Sequence, residues 1–404
     1  MTAVVPRNED MTATTETPQE QYDEGLPLGR LARRPRNLFL LFVFGVLLVV
    51  GVFLLFGKVA GYAETLDQLR RAEPIWLAVC FGSQVLSYTA YVVLVRALTA
   101  YGDGPLLPRW LTTRIVFVAL GVTRLVAVGG AGGLGVLYWV YRQLNFSRGD
   151  AFARVIALNT LLYVTFGGAA LIAGATILGQ FGGDVRLAMV LPWVIGMALF
   201  FVVGIYVTSP ARAARFANPG DERRVRRLLG HAVAGAVLAR NLAEHRAANR
   251  TTLAAAPLYW FGDMLCLWAG LRAFGVELTP AELVLAYATG FLANLLPIPT
   301  GGIGGVDAAT TFALTAIGVP LQSALLGVFT YRFFSYLLPT LPAVLAVPTL
   351  PQVSRELSAL AESEGPRPQS WAPPPGAASY PVQKEGAWSP SRRGDRTAEP
   401  HPYD

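Results

Sequence analysis

The chain has 404 residues, 53% of them hydrophobic and 15% charged, against roughly a quarter charged in an average soluble domain. A mean hydropathy of +0.44 with a net charge of +7 excludes an ordinary soluble protein and predicts an all-α, multi-pass integral membrane protein. Cys80 and Cys266 lie in apolar segments without a CxxC pair, and His231, His245 and His401 lie in polar stretches, so no disulfide framework, metal or cofactor is expected.

Residues 1–36 read as a disordered cytoplasmic tail. Residues 1–29 are polar, rich in Thr and Glu and without an apolar run, and RLARRPR follows at Arg30–Arg36 with four arginines in seven residues. The first span, Asn37–Phe56, carries no charge over about the twenty residues needed to cross a bilayer. Lys58–Glu73 places Val59, Tyr62, Leu66 and Leu69 at spacings of three and four, the pattern of an interfacial amphipathic helix. Further spans are expected at 75–97, 151–179, 187–208, 253–274 and 322–347, within a transmembrane domain covering 37–350.

Two apolar regions depart from this series. Residues 110–143 are interrupted by GGAGGLG (129–135), and residues 281–317 by PIPTGGIGG (297–305). Broken helices at membrane depth survive only inside protein or along a wet cavity. If both are re-entrant hairpins, six full spans remain and the hairpins open to opposite sides; if each crosses as two helices, the count is ten. Either threading puts 209–252 in the cytoplasm. That loop has nine arginines against Asp221, Glu222 and Glu244, a net of +6, and positive-inside topology accounts for it without nucleic acid.

The sequences after the two breaks also align weakly. Setting Asn145 opposite Gly318 sets Asn159 opposite Arg332, and paired broken segments in two halves are a pattern of transporters with a site near the midplane. From Pro351 the chain changes character. It holds ten of the 28 prolines in 54 residues, with six basic and seven acidic charges, so 351–404 is expected to be a disordered cytoplasmic tail.

The charges left inside apolar spans are the candidate site. Arg332 lies about eleven residues into its span, where an arginine costs at least about 2.5 kcal/mol. It serves either an ion pair that fixes packing or an anion site, since guanidinium matches phosphate in two-pronged geometry. Arg124 precedes the first break and Arg154 starts the following span, where snorkelling is the other reading; Arg114 and Arg142 read as interface anchors. Asp263 and Asp307 are the acidic partners available, for pairing with Arg332 or Arg124 or for proton coupling. Between Asn294 and Asp307, Pro297 and Pro299 end a helix, Gly301, Gly302 and Gly304 free the backbone, and Gly305 precedes a helix whose electropositive N-terminus suits an anionic head group. Tight packing by small residues is the competing reading.

PIPTGGIGGVDAATTFALTAIGVP, followed by the arginine of TYRFFSYLLP, resembles the second half of the flippase-type transmembrane domain of lysylphosphatidylglycerol synthases, the multiple peptide resistance factor family, and its stand-alone relatives. The layout agrees over roughly 38–350 and most sharply over 290–342. The resemblance implies a domain that moves a modified phospholipid or a polyprenyl-linked lipid between leaflets. It carries functional weight onto Pro297, Pro299, Gly301, Gly302, Gly304, Asp307 and Arg332. No aminoacyl transferase domain is recognisable in this sequence, so a non-enzymatic transporter of the bacterial inner membrane is expected, with both termini cytoplasmic. The alternative is a scaffold that binds an envelope-biosynthesis enzyme through 209–252. A composition of 31 Arg to 2 Lys points to a GC-rich bacterial genome.

Overall fold

A computed structural model describes Val43 and residues 73–125 (except 103), 131–180, 184–209, 212–213, 224–293 (except 248) and 304–364. The expected first span and the amphipathic segment before Glu73 lie outside these residues, Val43 apart. The described chain is helical: α1 (Pro74–Thr99), α2 (Arg109–Leu125), α3 (Ala131–Gln143), α4 (Arg148–Gln180), α5 (Asp184–Val207), α6 (Arg224–Glu244), α7 (Arg250–Arg272), α8 (Pro280–Leu292), α9 (Gly305–Ala316), α10 (Leu321–Ala346) and α11 (Leu350–Glu364). Helices lie at all five of the expected later spans. Pro74–Thr99, Arg148–Gly179, Val190–Val207 and Leu321–Ala346 are long and apolar enough to cross a membrane.

The interrupted regions are helix pairs. The arms α2 and α3 have 17 and 13 residues, and α8 and α9 have 13 and 12. At 1.5 Å per residue these arms reach about 18–26 Å, short of the roughly 30 Å of hydrocarbon. Small residues let the arms approach. A Cβ on Gly133 would lie 2.1 Å from Thr123 Oγ1 and 2.7 Å from the Ala119 carbonyl, and one on Gly290 would lie 1.8 Å from Thr310 Oγ1. Part of the first glycine run is helical: Ala131–Gly135 form the first turns of α3.

The weak alignment of the two halves is a repeat in the backbone. Asn145 and Gly318, separated by the 173 residues between those numbers, both adopt positive φ, at 60° and 97°. Each ends a helix with the same pair of hydrogen bonds: Phe146 N–H to Tyr141 O and Asn145 N–H to Arg142 O in one, Val319 N–H to Leu314 O and Gly318 N–H to Thr315 O in the other. This Schellman arrangement satisfies the last carbonyls of a helix and favours Gly or Asn at the left-handed position. Gly102 and Gly275, with φ of 66° and 74°, stand at the same spacing after α1 and α7. The starts of α4 and α10 and the ends of α3 and α9 also keep it.

The two halves are inverted, because the equivalent helices α1 and α7 run antiparallel. Trp76 meets Trp268, Cys80 bonds Cys266, Gln84 bonds Asp263 and Ser87 bonds Tyr259. The partner number falls as the α1 number rises. A dyad relating the halves passes near Ser87 and Trp260, again 173 apart, where Gly262 lets the Ser83 backbone come within 2.6 Å of a would-be Cβ. The hairpins pack crosswise. In the first, α2 sets Gly121 against Ala343 of α10, and in the second, α8 sets Phe291 against Phe166 of α4.

Two sequence readings change. The stretch 351–404 was expected to be disordered from its first residue, yet α11 runs to Glu364, burying Val353, Leu357 and Ala361 at spacings of four. That apolar stripe outweighs a proline count dominated by residues beyond it. The basic segment 209–252 is also not a plain loop: α6 packs on α4 through buried Leu238, Ala239 and Leu242, with Gly235 against Ala153 and Ile156 and the His231 ring beside Gly149 and Phe152.

Candidate functional site

The second hairpin is tied to α10 by charge. Gly304, at φ 87°, caps α9, and Asp307 three residues on turns its carboxylate back to accept from the Gly304 N–H at 3.0 Å through Oδ2. The other oxygen, Oδ1, accepts from Nε of Arg332. Arg332 is 8% exposed and Asp307 6%, so the pair is withdrawn from water. The guanidinium also lies 5.5 Å from the Tyr331 ring and 5.4 Å from the Tyr336 ring, in reach of cation–π attraction. Both readings of Arg332 have a basis here. An ion pair fixes packing, and a desolvated guanidinium beside a helix N-terminus is suited to an anion.

Asp263 is buried but is not the partner of Arg332. Its Oδ1 accepts from Gln84 Nε2 at 2.8 Å, and its Oδ2 accepts from the hydroxyls of Tyr331, at 2.7 Å, and Tyr287. The donors come from α1, α10 and α8. Pairing of Asp263 with Arg332 or Arg124 was one expectation from the sequence; among the described residues neutral donors take that place. Phe166, Trp260 and Phe291 pack around Tyr287, and the Trp260 indole donates to the Leu162 carbonyl at 2.8 Å. Tyr331 and Arg332 are consecutive, so α10 carries one residue for each buried carboxylate.

Arg154 is buried at the end of α1. Its guanidinium donates to the carbonyls of Leu98 and, at 2.9 Å, Tyr101, and lies 4.2 Å from the Phe146 ring. The Leu98 carbonyl, in the last turn of α1, has no intrahelical donor, and an arginine supplies one in a favourable dipole position while also holding the Tyr101 carbonyl of the following turn. Arg154 thus bonds the end of α1, whereas Arg332 bonds Asp307 at the start of α9. Burial raises the pKa of the Tyr101 hydroxyl in the following turn, with the Arg154 charge acting against the shift.

Arg124 lies in the last turn of α2, and its side chain is outside the described residues. Asn294, Pro297, Pro299, Gly301 and Gly302 are likewise outside them. Gly304 and Asp307 stand where the sequence placed them, at the start of α9. Arg114 lies 4.9 Å from the Trp110 ring, and Arg142 donates to the Phe146 carbonyl. Gln84, Tyr287 and Tyr331 had not been singled out. Gln84 was the detectable one, as a polar side chain within an apolar span.

The family described as the lysylphosphatidylglycerol synthase TM region matches residues 42–343, about three quarters of the chain. A curated phosphatidylglycerol lysyltransferase from Staphylococcus xylosus is 30% identical over 86 residues, 21% of this chain. The matched stretch spans 10% of that protein's own length.

Proposed function

The chain belongs to the lysylphosphatidylglycerol synthase transmembrane-region family, and from that premise we propose that it moves a lipid with an anionic head group between the leaflets of the bacterial inner membrane. The observation that carries the reading is the buried Arg332–Asp307 pair joining one hairpin of an inverted repeat to the helix beside it. A carboxylate holds the guanidinium as a stand-in anion, and a phosphate offers the same arginine a two-pronged partner. Entry of the head group exchanges one anion for another, which avoids leaving a charge unpaired in a low dielectric. The acyl or prenyl chains stay in lipid. Hairpins of opposite orientation give the head group one opening toward each leaflet.

No covalent step is needed, so the chain acts as a transporter and not as an enzyme. The substrate is a phospholipid or a polyprenyl-linked lipid, and the termini face the cytoplasm with the basic 209–252 segment. A scaffold for an envelope-biosynthesis enzyme draws on that segment alone, and Leu238, Ala239 and Leu242 of α6 are already buried.

Full-length protein in liposomes should accelerate leaflet exchange of fluorescent phosphatidylglycerol. Arg332→Ala should lower the rate by about tenfold or more, the scale of losing a charge-assisted hydrogen bond, in protein that remains monodisperse and helical by circular dichroism. Rates equal to those of protein-free liposomes across anionic phospholipids and a polyprenyl phosphate would overturn the proposal.

A further inference from the structure

Thr311 of α9 is 5% exposed, and its Oγ1 is buried without a hydrogen-bond partner among the described residues. A helical threonine can donate to the carbonyl four residues back. Thr289 and Thr310 do so at 2.8 Å, to Leu285 and Val306, but Thr311 makes no such bond to Asp307. A buried hydroxyl left unpaired is costly and calls for an explanation.

The position of Thr311 on the helix supplies one. At about 100° per residue, it is displaced by only about 40° around α9 from Asp307, one turn further in. On the other side of Asp307 lies Thr310, which faces Gly290 of α8, whereas Asp307 itself reaches Arg332 of α10. Phe312, about 100° beyond Thr311, is 70% exposed. Thr311 therefore stands on the side that α9 turns toward α10, buried on the flank of the ion pair. The matching positions of the first hairpin hold Leu134 and Tyr138, so the carboxylate and the spare hydroxyl occur together in the second half.

We infer that Thr311 is a further binding residue for a lipid phosphate held at Arg332, donating its O–H to one phosphate oxygen while the guanidinium donates to another. Residues four apart on a helix have Cβ atoms about 5–6 Å apart, a gap that a phosphate with hydrogen bonds of about 2.8 Å on two of its oxygens can span. A hydroxyl turns to suit its acceptor and carries no charge. Left unpaired between ligands, it costs far less than a second buried cation would, so it adds a donor for the phosphate without adding a charge to an empty site. The inference rests on the head-group reading of Arg332 and extends it: the occupant is a phosphate ester carried on a lipid, whether a phospholipid diester or a polyprenyl monoester.

Thr311→Val keeps the shape of the side chain and removes the hydroxyl. In full-length protein stripped of phospholipid in maltoside detergent, it should leave the thermal unfolding midpoint unchanged or raise it by up to about 4 °C. The same variant should bind dihexanoyl phosphatidylglycerol, farnesyl phosphate or both about tenfold more weakly than the wild type, and Thr311→Ser should restore the affinity. A loss confined to one ester identifies the occupant as the diester or the monoester. A midpoint lowered in Thr311→Val and not in Thr311→Ser would show the hydroxyl bonded within the protein and overturn the inference. Unchanged affinity for both esters would also overturn it, as would binding of inorganic phosphate with neither ester bound. Should the valine variant not fold, Thr311→Ala carries the affinity test. Ester binding that ignores Thr311 in protein that still exchanges lipid would defeat the inference and leave the translocase reading standing. Ester binding that depends on Thr311 in protein that moves no lipid would uphold the site while that reading fails.

Discussion

Across the dyad, the second hairpin presents Asp307 to Arg332, whereas the first presents Leu134 at the equivalent position and α4 presents Asn159. Asn159 donates to the Val155 carbonyl of its own helix at 2.9 Å and makes no bridge to the first hairpin. The two hairpins share helix ends, turn geometry and close glycine contacts, but only the second has a buried ion pair among the described residues. Packing between small residues has no chemistry that a ligand can replace. An ion pair can trade one anion for another, so only the half with the pair offers the exchange that the proposed transport of a head group requires.

The sharpest way to break this comparison is to remove one partner of the pair. Arg332→Ala or Asp307→Ala should each cost about 3–5 kcal/mol, because the remaining charge is left buried and alone, and the double variant should cost less than their sum. Asn159→Ala, at the matching place, should stay within about 1 kcal/mol. Thermal unfolding in a mild detergent reads both, and equal losses at the two positions would erase the asymmetry.

A middle-sized effect tests what the hairpins share. Gly133→Ala and Gly290→Ala each force a methyl group inside the packing distance of the facing arm, and both should lose about 1–3 kcal/mol by overpacking. If one were neutral, the two hairpins would not be built on the same close approach. The smallest effect tests the backbone repeat. Asn145→Gly and Gly318→Asn exchange the residues of the two equivalent turns and should each shift stability by less than about 1 kcal/mol, while Gly318→Ala should cost about 1–2 kcal/mol for its left-handed backbone. Hydrogen–deuterium exchange at Phe146 and Val319, whose amides close the two turns, locates any loosening.

Much of the fold was legible because a bilayer filters sequence severely. Spans must be apolar and about twenty residues long, so Pro74–Thr99 and Arg148–Gln180 stood out, as did the breaks at the glycine runs. Arg332 and Asp307 were legible for the same reason, since charges inside such segments are rare and costly. The cluster around Asp263 was not. Tyr287 and Tyr331 are common in membrane helices, and nothing in a linear chain marks which of them faces a carboxylate 24 or 68 positions away. The partners of Arg154 were not legible for a related cause: only the tertiary structure sets the Leu98 and Tyr101 carbonyls against its guanidinium. The helix Leu350–Glu364 had its signal in Val353, Leu357 and Ala361, but nine of the ten prolines in the last 54 residues follow Glu364 and dominate the composition.

The sequence by itself determined that this chain lives in a bilayer, where its later apolar spans run and which few charges the hydrocarbon makes expensive, because hydrophobicity and charge are properties of each residue. Only the tertiary structure decided which charges meet and how the halves are related. Arg332 selects Asp307 and leaves Asp263 to two tyrosines and a glutamine, and α1 meets α7 head to tail across a dyad. Those outcomes depend on distances of a few ångströms between helices far apart in the chain, and hydrogen bonds and ion pairs form or fail on that scale.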